Sequence, residues 1–174
     1  MGNTLEDLKN RRSIKAYKPD QIKDSDLDLI LEAGTWAASG QGSQSAVIVA
    51  VQNKSIIAKI EELNAKVLNN PGAKPFYGAP TVLNVLVDPA KPTPIEDGNL
   101  VIGNLINAAF AAGIGSCYIY RAKEVFASSE GKELLKQWGL SENYVGIGHV
   151  TLGYPAGDPP QPKPRKKDYI IKIK

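Results

Sequence analysis

One cysteine, one histidine and one methionine stand among 174 residues. A disulfide framework needs paired cysteines, and a zinc centre needs about four clustered nitrogen, sulfur or oxygen ligands, so neither is expected to organise this chain. Long apolar runs are missing as well. Residues 82–87, interrupted by Asn84, and 108–114 are largely apolar but fall far short of the ~18 consecutive residues of a membrane-spanning helix. Met1-Gly2-Asn3-Thr4-Leu5-Glu6-Asp7 has neither the basic nor the apolar region of a signal peptide, and with a lone thiol the chain reads as cytoplasmic. Charge of one sign is also scarce: 21 Lys and Arg face 18 Asp and Glu, net +3, too little for a nucleic-acid coat and too balanced for an acidic disordered chain.

What is present is a hydrophobic fraction of 43 % over a length that suits one compact domain, residues 1–174. The charge is unevenly placed. Residues 1–18 hold five positive and two negative side chains and residues 163–174 hold six and one, leaving −5 for the body between them. Two basic ends on an acidic body raise the question of whether they meet around an anion.

Thr4 to Lys9 reads as a short helix capped by Thr4. From Ser25 the spacing of Leu27, Ile30, Leu31 and Ala33 on to Ala37 predicts an amphipathic helix, followed by the polar loop Ser39-Gly40-Gln41-Gly42-Ser43-Gln44. Residues 46–51 form a continuous apolar run of strand length, 54–68 resume helical spacing, and 81–87 read as a second strand after a rigid loop at 75–80. The segment 98–112, started by Glu96 or Asp97, is apolar nearly all round and is expected to be a buried helix whose small residues allow close approach of another backbone. A strand at 117–120, a helix at about 123–138 and a strand at 144–152 follow. Five of the 12 prolines lie between Pro155 and Pro164, predicting an extended arm, and Tyr169-Ile170-Ile171-Lys172-Ile173-Lys174 alternates like an edge strand. Helices mixed with four or five strands and no tight hairpin signal predict an α+β or α/β fold around one mixed sheet.

Arg11-Arg12-Ser13 with Lys15 offers guanidinium forks and a hydroxyl suited to a phosphate, or else a solvated basic patch at a helix end. Pro164-Arg165-Lys166-Lys167 is open to the same two readings. The Ser39–Gln44 loop supplies hydroxyls, amides and two glycines to a flat ligand, or serves as a polar connector. Gly113-Ile114-Gly115 follows a helix and precedes a strand, the reverse of a dinucleotide fingerprint, and no Walker A sequence occurs. Cys117 and His149 lie in apolar strands and read as structural. No side-chain set forms an evident acid–base machine, so catalytic residues are assigned to none and a cofactor is expected to carry any reaction.

Arg11-Arg12-Ser13-Ile14-Lys15, Ala38-Ser39-Gly40-Gln41-Gly42-Ser43-Gln44, the span from Asp97 through Asn104-Leu105 to Gly113-Ile114-Gly115-Ser116-Cys117, and Leu152-Gly153-Tyr154-Pro155 before Pro164-Arg165-Lys166 together resemble the nitroreductase family of flavoenzymes. The blocks run in family order over nearly the whole chain. The resemblance implies an α+β sandwich with a mixed, mostly antiparallel sheet flanked by helices. It also implies a homodimer, with residues 155–174 as an arm that wraps the partner and gives it a strand. It further implies an FMN-dependent oxidoreductase, reduced by NADH or NADPH and passing hydride through flavin N5 in ping-pong fashion to a nitroaromatic or quinone. Arg11, Arg12 and Ser13 would then hold the FMN phosphate and ribityl chain, Lys15 the polar edge of the ring, and Arg165 and Lys166 the phosphate again. Ser39, Gly40 and Gln44 would line the ring, partly from the other subunit, with Gly115 in the turn beneath it. Where this chain has Ala38, Gly42 and Ser45-Ala46, many members have proline, asparagine and a proline-tryptophan pair. A more open pocket is expected, with Phe76 and Tyr77 as its aromatic substrate wall. The alternative in another class is a dimeric protein that binds flavin or a phosphate ligand without turnover. No nucleic-acid, metal or membrane partner is expected.

Overall fold

A computed structural model of the protein describes residues 4–174; residues 1–3, the start of the segment judged to lack a signal peptide, lie outside them. The elements are α1 (Thr4–Asn10), α2 (Asp24–Thr35), β1 (Ala46–Val51), α3 (Lys54–Val67), β2 (Thr81–Val87), α4 (Pro94–Ala111), β3 (Gly115–Ile119), α5 (Ala122–Ala127), α6 (Ser129–Gln137) and β4 (Val145–Gly153). The strands lie in the order β1-β2-β4-β3, and all three ladders are antiparallel.

β2 is central because every one of its seven side chains is buried. Its period of two sends Leu83, Val85 and Val87 to a core shared with Leu27 and Ile30 of α2 and Val101, Ile102 and Leu105 of α4. Val82 and Leu86 face the opposite core, built with Ile57, Ile60 and Leu63 of α3, Val125 and Phe126 of α5, and Leu134 and Leu135 of α6. Asn84 shares that second face and pairs in register with His149 of β4. The β2–β4 register shifts between Val85 and Leu86, which leaves Ile147 as an extra residue. Alternation on β4 flips there, so Val145, Ile147, Val150 and Leu152 all reach the α2/α4 side.

Three elements depart from the sequence reading. The expected helix at 123–138 is two helices, broken at Ser128, whose backbone is extended (φ −69, ψ 160) and whose hydroxyl accepts from Gly131 N at 3.0 Å. Gly131 is needed at this corner, because a Cβ there would lie 2.0 Å from the Val125 carbonyl oxygen. α4 begins at Pro94, earlier than expected, and is buried on one face only: Ile95 and Leu100 are exposed, because the sheet covers just one side of the helix. The terminal segment forms no strand within its own chain, and residues 156–174 are exposed.

Candidate functional site

The stretch after α1 lies against the β3 edge and the end of β4. Ile14 N donates to Ser116 O at 2.9 Å, Lys18 N to Tyr154 O at 2.9 Å, and Ala156 N to Ala16 O at 3.0 Å. Tyr17 pins the middle: its hydroxyl donates to the Ile14 carbonyl at 2.8 Å and lies 2.7 Å from Thr151 Oγ1. Burial pushes the Tyr17 phenol well above its ordinary pKa, so it stays protonated and serves as a strut. Gly115 belongs to the same packing, since a Cβ on it would meet Ile14, Pro155 and the Gly153 carbonyl, each at 3.1 Å.

With 11–17 held this way, the proline-rich arm folds back over it. One cleft of about 480 Å³ is lined by Ser13, Ile14, Lys15 and Ala16 on one side and Gly157, Asp158 and Pro160 on the other. A neighbouring cleft of about 870 Å³ lies between Lys9, Arg11, Arg12 and Ser13 and the arm residues Gln161, Lys163 and Arg165. The two basic ends therefore do meet. Arg12 donates to the carbonyls of Lys9 (2.6 Å) and Arg11 (2.7 Å), and Arg165 to that of Lys163 (2.9 Å). Among the described residues no ion pair involves Arg11, Arg12, Lys15 or Arg165. Their charge is thus uncommitted, and guanidinium groups beside a hydroxyl make a donor set for a phosphate. Lys166 is not part of it: it lines neither cleft and its ammonium sits 5.5 Å from the centre of the Tyr169 ring.

The Lys15 Nζ lies 5.7 Å from the centre of the Tyr77 ring. Tyr77 is half-buried in the left-handed region at φ 53, a costly conformation for a bulky residue and one that fixes where its ring points. Phe76, expected beside it in a substrate wall, is instead a core side chain, 1 % exposed and packed on His149 with ring centres 5.2 Å apart. Tyr77 packs at the margin of the same core but is partly exposed, so of the two only Tyr77 accompanies Lys15. Cys117 is buried; burial raises its thiol pKa, while Ser13, Lys15 and Arg11 act in the other direction.

The polar loop has its own foundation, which sequence reasoning missed. Asp97 is buried in the first turns of α4 and does not cap that helix. Its Oδ1 accepts from Gly40 N at 3.0 Å and Thr93 Oγ1 at 2.8 Å, and its Oδ2 from Ser45 Oγ at 2.8 Å and Ser43 Oγ at 3.2 Å. These donors, Gly40 N–H foremost, hold the carboxyl below its ordinary range and keep it ionised. Gly40 has to be glycine, because a Cβ would come within 2.0 Å of Thr93 Oγ1. Gln41, Gly42 and Gln44 all have positive φ, and Ser39 Oγ accepts from Gln44 N at 3.2 Å. Beneath the loop a pocket of about 370 Å³ opens between α2, β1 and α4, with Ser39, Gln44, Ser45 and Asp97 at its polar end. An acidic residue in a first helical turn is accounted for locally by the helix dipole, so only the contact across 57 positions reveals this role.

Neither of these clefts has a wall from residues 39–44. The candidate residues thus fall into two separate groups, one with Arg11, Arg12, Ser13, Lys15 and Arg165 and the other with Ser39, Gly40 and Gln44.

A four-stranded antiparallel sheet between two helical layers, with the N-terminal basic segment clasped by a C-terminal arm, defines an α+β sandwich of nitroreductase type. Residues 8–154 match the model of the nitroreductase family, and the chain belongs to that family. A Bacteroides fragilis nitroreductase solved with bound FMN superposes with a TM-score of 0.91 at 30 % identity, covering 100 % of both chains. A Desulfitobacterium hafniense nitroreductase, also with bound FMN, gives 0.87 at 28 % identity over 100 % of both. An Archaeoglobus fulgidus protein provisionally named NADH dehydrogenase/NAD(P)H nitroreductase is 29 % identical over 163 residues, which is 89 % of this chain and 87 % of its own. Among the described residues no helix is long and apolar enough to cross a membrane.

Proposed function

We propose that the protein is an FMN-dependent NAD(P)H oxidoreductase acting on a nitroaromatic, quinone or similar acceptor. The observation that carries the reading is the set of uncommitted cations, Arg11, Arg12 and Arg165, around one cleft beside the Ser13 hydroxyl. That donor chemistry fits a flavin mononucleotide phosphate, and FMN is bound in the B. fragilis relative. FMN held there would supply the redox chemistry between the nicotinamide and the acceptor. The chain's part is to hold and tune it. Arg11, Arg12 and Arg165 donate charge-assisted hydrogen bonds to the phosphate, Ser13 adds a hydroxyl, and Lys15 places a fixed cation where negative charge on the ring is stabilised. Tyr77 beside Lys15 offers an aromatic wall to the acceptor.

The same reading includes a homodimer. With the β3 edge covered by residues 13–17, β1 remains the open edge of the sheet. The alternating segment 169–174 is exposed and pairs with no strand among the described residues. Exposed Leu29 on α2, Trp36 at its C-terminal end, and Ile95 and Leu100 on α4 supply apolar area for a partner. Such an arrangement supports a complete site made of one chain's arginine cleft and the other's 39–45 loop.

FMN titration of the apoprotein tests the assignment. Arg11→Ala and Arg165→Ala are each expected to weaken FMN binding by roughly 10- to 150-fold, the loss of charge-assisted bonds of ~1.5–3 kcal/mol. Unchanged affinity in both variants contradicts the phosphate assignment. Anaerobic bleaching of the bound flavin by NADH or NADPH, followed by reoxidation with a quinone, separates an enzyme from a binding protein that shows no turnover.

A further inference from the structure

Asp97 has no role in the reading above, yet its carboxylate is the most heavily bonded side chain at either half-site. It accepts from four donors that belong to three pieces of chain: Gly40 and Ser43 in the polar loop, Ser45 at the entry to β1, and Thr93 ahead of α4. The loop it holds is conformationally expensive, with Gln41 at φ 54, Gly42 at φ 66 and Gln44 at φ 48. Left-handed backbone at two non-glycine residues costs free energy and persists only where surrounding contacts over-determine it. Those contacts converge on Asp97.

We propose that Asp97 is the positioning residue of the 39–45 loop: through Gly40, Ser43 and Ser45 it sets where Ser39 and Gln44 present their polar groups, and hence the wall facing the flavin ring and the acceptor. The inference rests on the flavin reading of the preceding subsection and deepens it. It concerns the ring side of the site alone, because the arginine cleft that holds the phosphate shares no lining residue with the loop. Removing Asp97 leaves the partly buried Gly40 N–H and the buried Ser45 hydroxyl without that acceptor, and the loop relaxes toward cheaper backbone angles. The Asp97→Asn amide keeps one oxygen for Gly40 and Thr93 and turns an amide nitrogen toward two hydroxyls that can accept, so it retains much of the clasp. Gly40→Ala attacks the same clasp from the other side, leaving the carboxylate in place while its Cβ collides with Thr93.

Three variants, Asp97→Ala, Asp97→Asn and Gly40→Ala, test this with FMN-loaded protein and with apoprotein. In the apoprotein, hydrogen exchange at the Gly40 and Gln44 amides is expected to accelerate in Asp97→Ala and Gly40→Ala and to change little in Asp97→Asn. In the loaded protein, any loss of FMN affinity is expected to be smaller than in Arg11→Ala or Arg165→Ala, because the phosphate clamp is untouched. The visible bands of the bound flavin shift, and acceptor KM rises about tenfold with a smaller change in kcat, as expected when a charge-assisted positioning contact is lost. If Asp97→Ala does not fold, Gly40→Ala and Asp97→Asn carry the same comparison. Flavin bands and acceptor KM unchanged in Asp97→Ala, or in Gly40→Ala where the former is unfolded, overturn the positioning role while leaving the flavin reading intact. A wild-type chain that takes up no FMN is recognised before any variant is made; it overturns the flavin reading and this inference with it.

Discussion

His149 Nε2 is buried and has no hydrogen-bond partner among the described residues. Its Nδ1 lies 2.8 Å from Asn84 Oδ1, so the neutral ring carries its proton on Nδ1 and donates it there. Phe76 and Phe126 pack against the ring. Burial, with the Arg121 charge adding to it, pushes the imidazole pKa down to about 3. Between that value and the ordinary 6.5 the unfolded chain binds a proton that the folded chain does not. Stability therefore falls as pH falls through this window, by about 1.4 kcal/mol per pH unit from this group. Urea unfolding from pH 7 to pH 4 is expected to show that slope, and His149→Gln, which keeps an N–H for Asn84, is expected to remove it. Equal slopes in the two proteins contradict the assignment. The sequence placed His149 in an apolar strand and that much was legible; Asn84 as its partner was not, because the pair joins positions 65 residues apart.

At the scale of elements, short-range rules carried most of the reading. β1 falls on a continuous apolar run of strand length and β2 on a mostly apolar one, and α3 starts where Asn53 can cap it, its Oδ1 accepting from Ser55 N at 3.0 Å and Ile56 N at 3.1 Å. Asn53→Ala is expected to cost ~1 kcal/mol of stability, read as a lower urea midpoint with unchanged m-value. The break between α5 and α6 was not legible, because Ser128 and Gly131 carry only a weak local signal and the close approach of Gly131 to Val125 becomes visible only in the folded corner. Gly131→Ala is expected to cost at least about 1–3 kcal/mol, since its Cβ would press on backbone that cannot swing aside. A thermal unfolding temperature equal to that of wild type contradicts this account. α4 misled for a related reason. Its sequence is apolar nearly all round, which is what a helix shows when it meets a sheet on one face and awaits other contacts on the second.

At the scale of the whole molecule, the uneven charge along the chain acquires a geometry. Basic side chains from positions 11–15 and 163–165 border adjoining clefts, while the polar loop lies apart from both. A chain ending at Lys167 keeps Arg165 and loses the alternating terminal segment. Under the dimer proposal, sedimentation of the full chain is expected to give twice the 18.7 kDa of one copy, and the shortened chain is expected to dissociate at micromolar concentration. An intact dimer after this truncation assigns the interface to the α2 and α4 faces alone. Taken by itself, the sequence determined the order and type of nearly every element and the blocks that mark the family, because periodicity, caps and turn residues act within a few positions. Tertiary structure alone decided that Phe76 goes inward while Tyr77 meets Lys15, that Lys166 misses the cleft that Arg165 lines, and that Asp97 anchors a loop 57 positions away. Each of those outcomes depends on which surfaces come together when the layers pack, and no local rule contains that information.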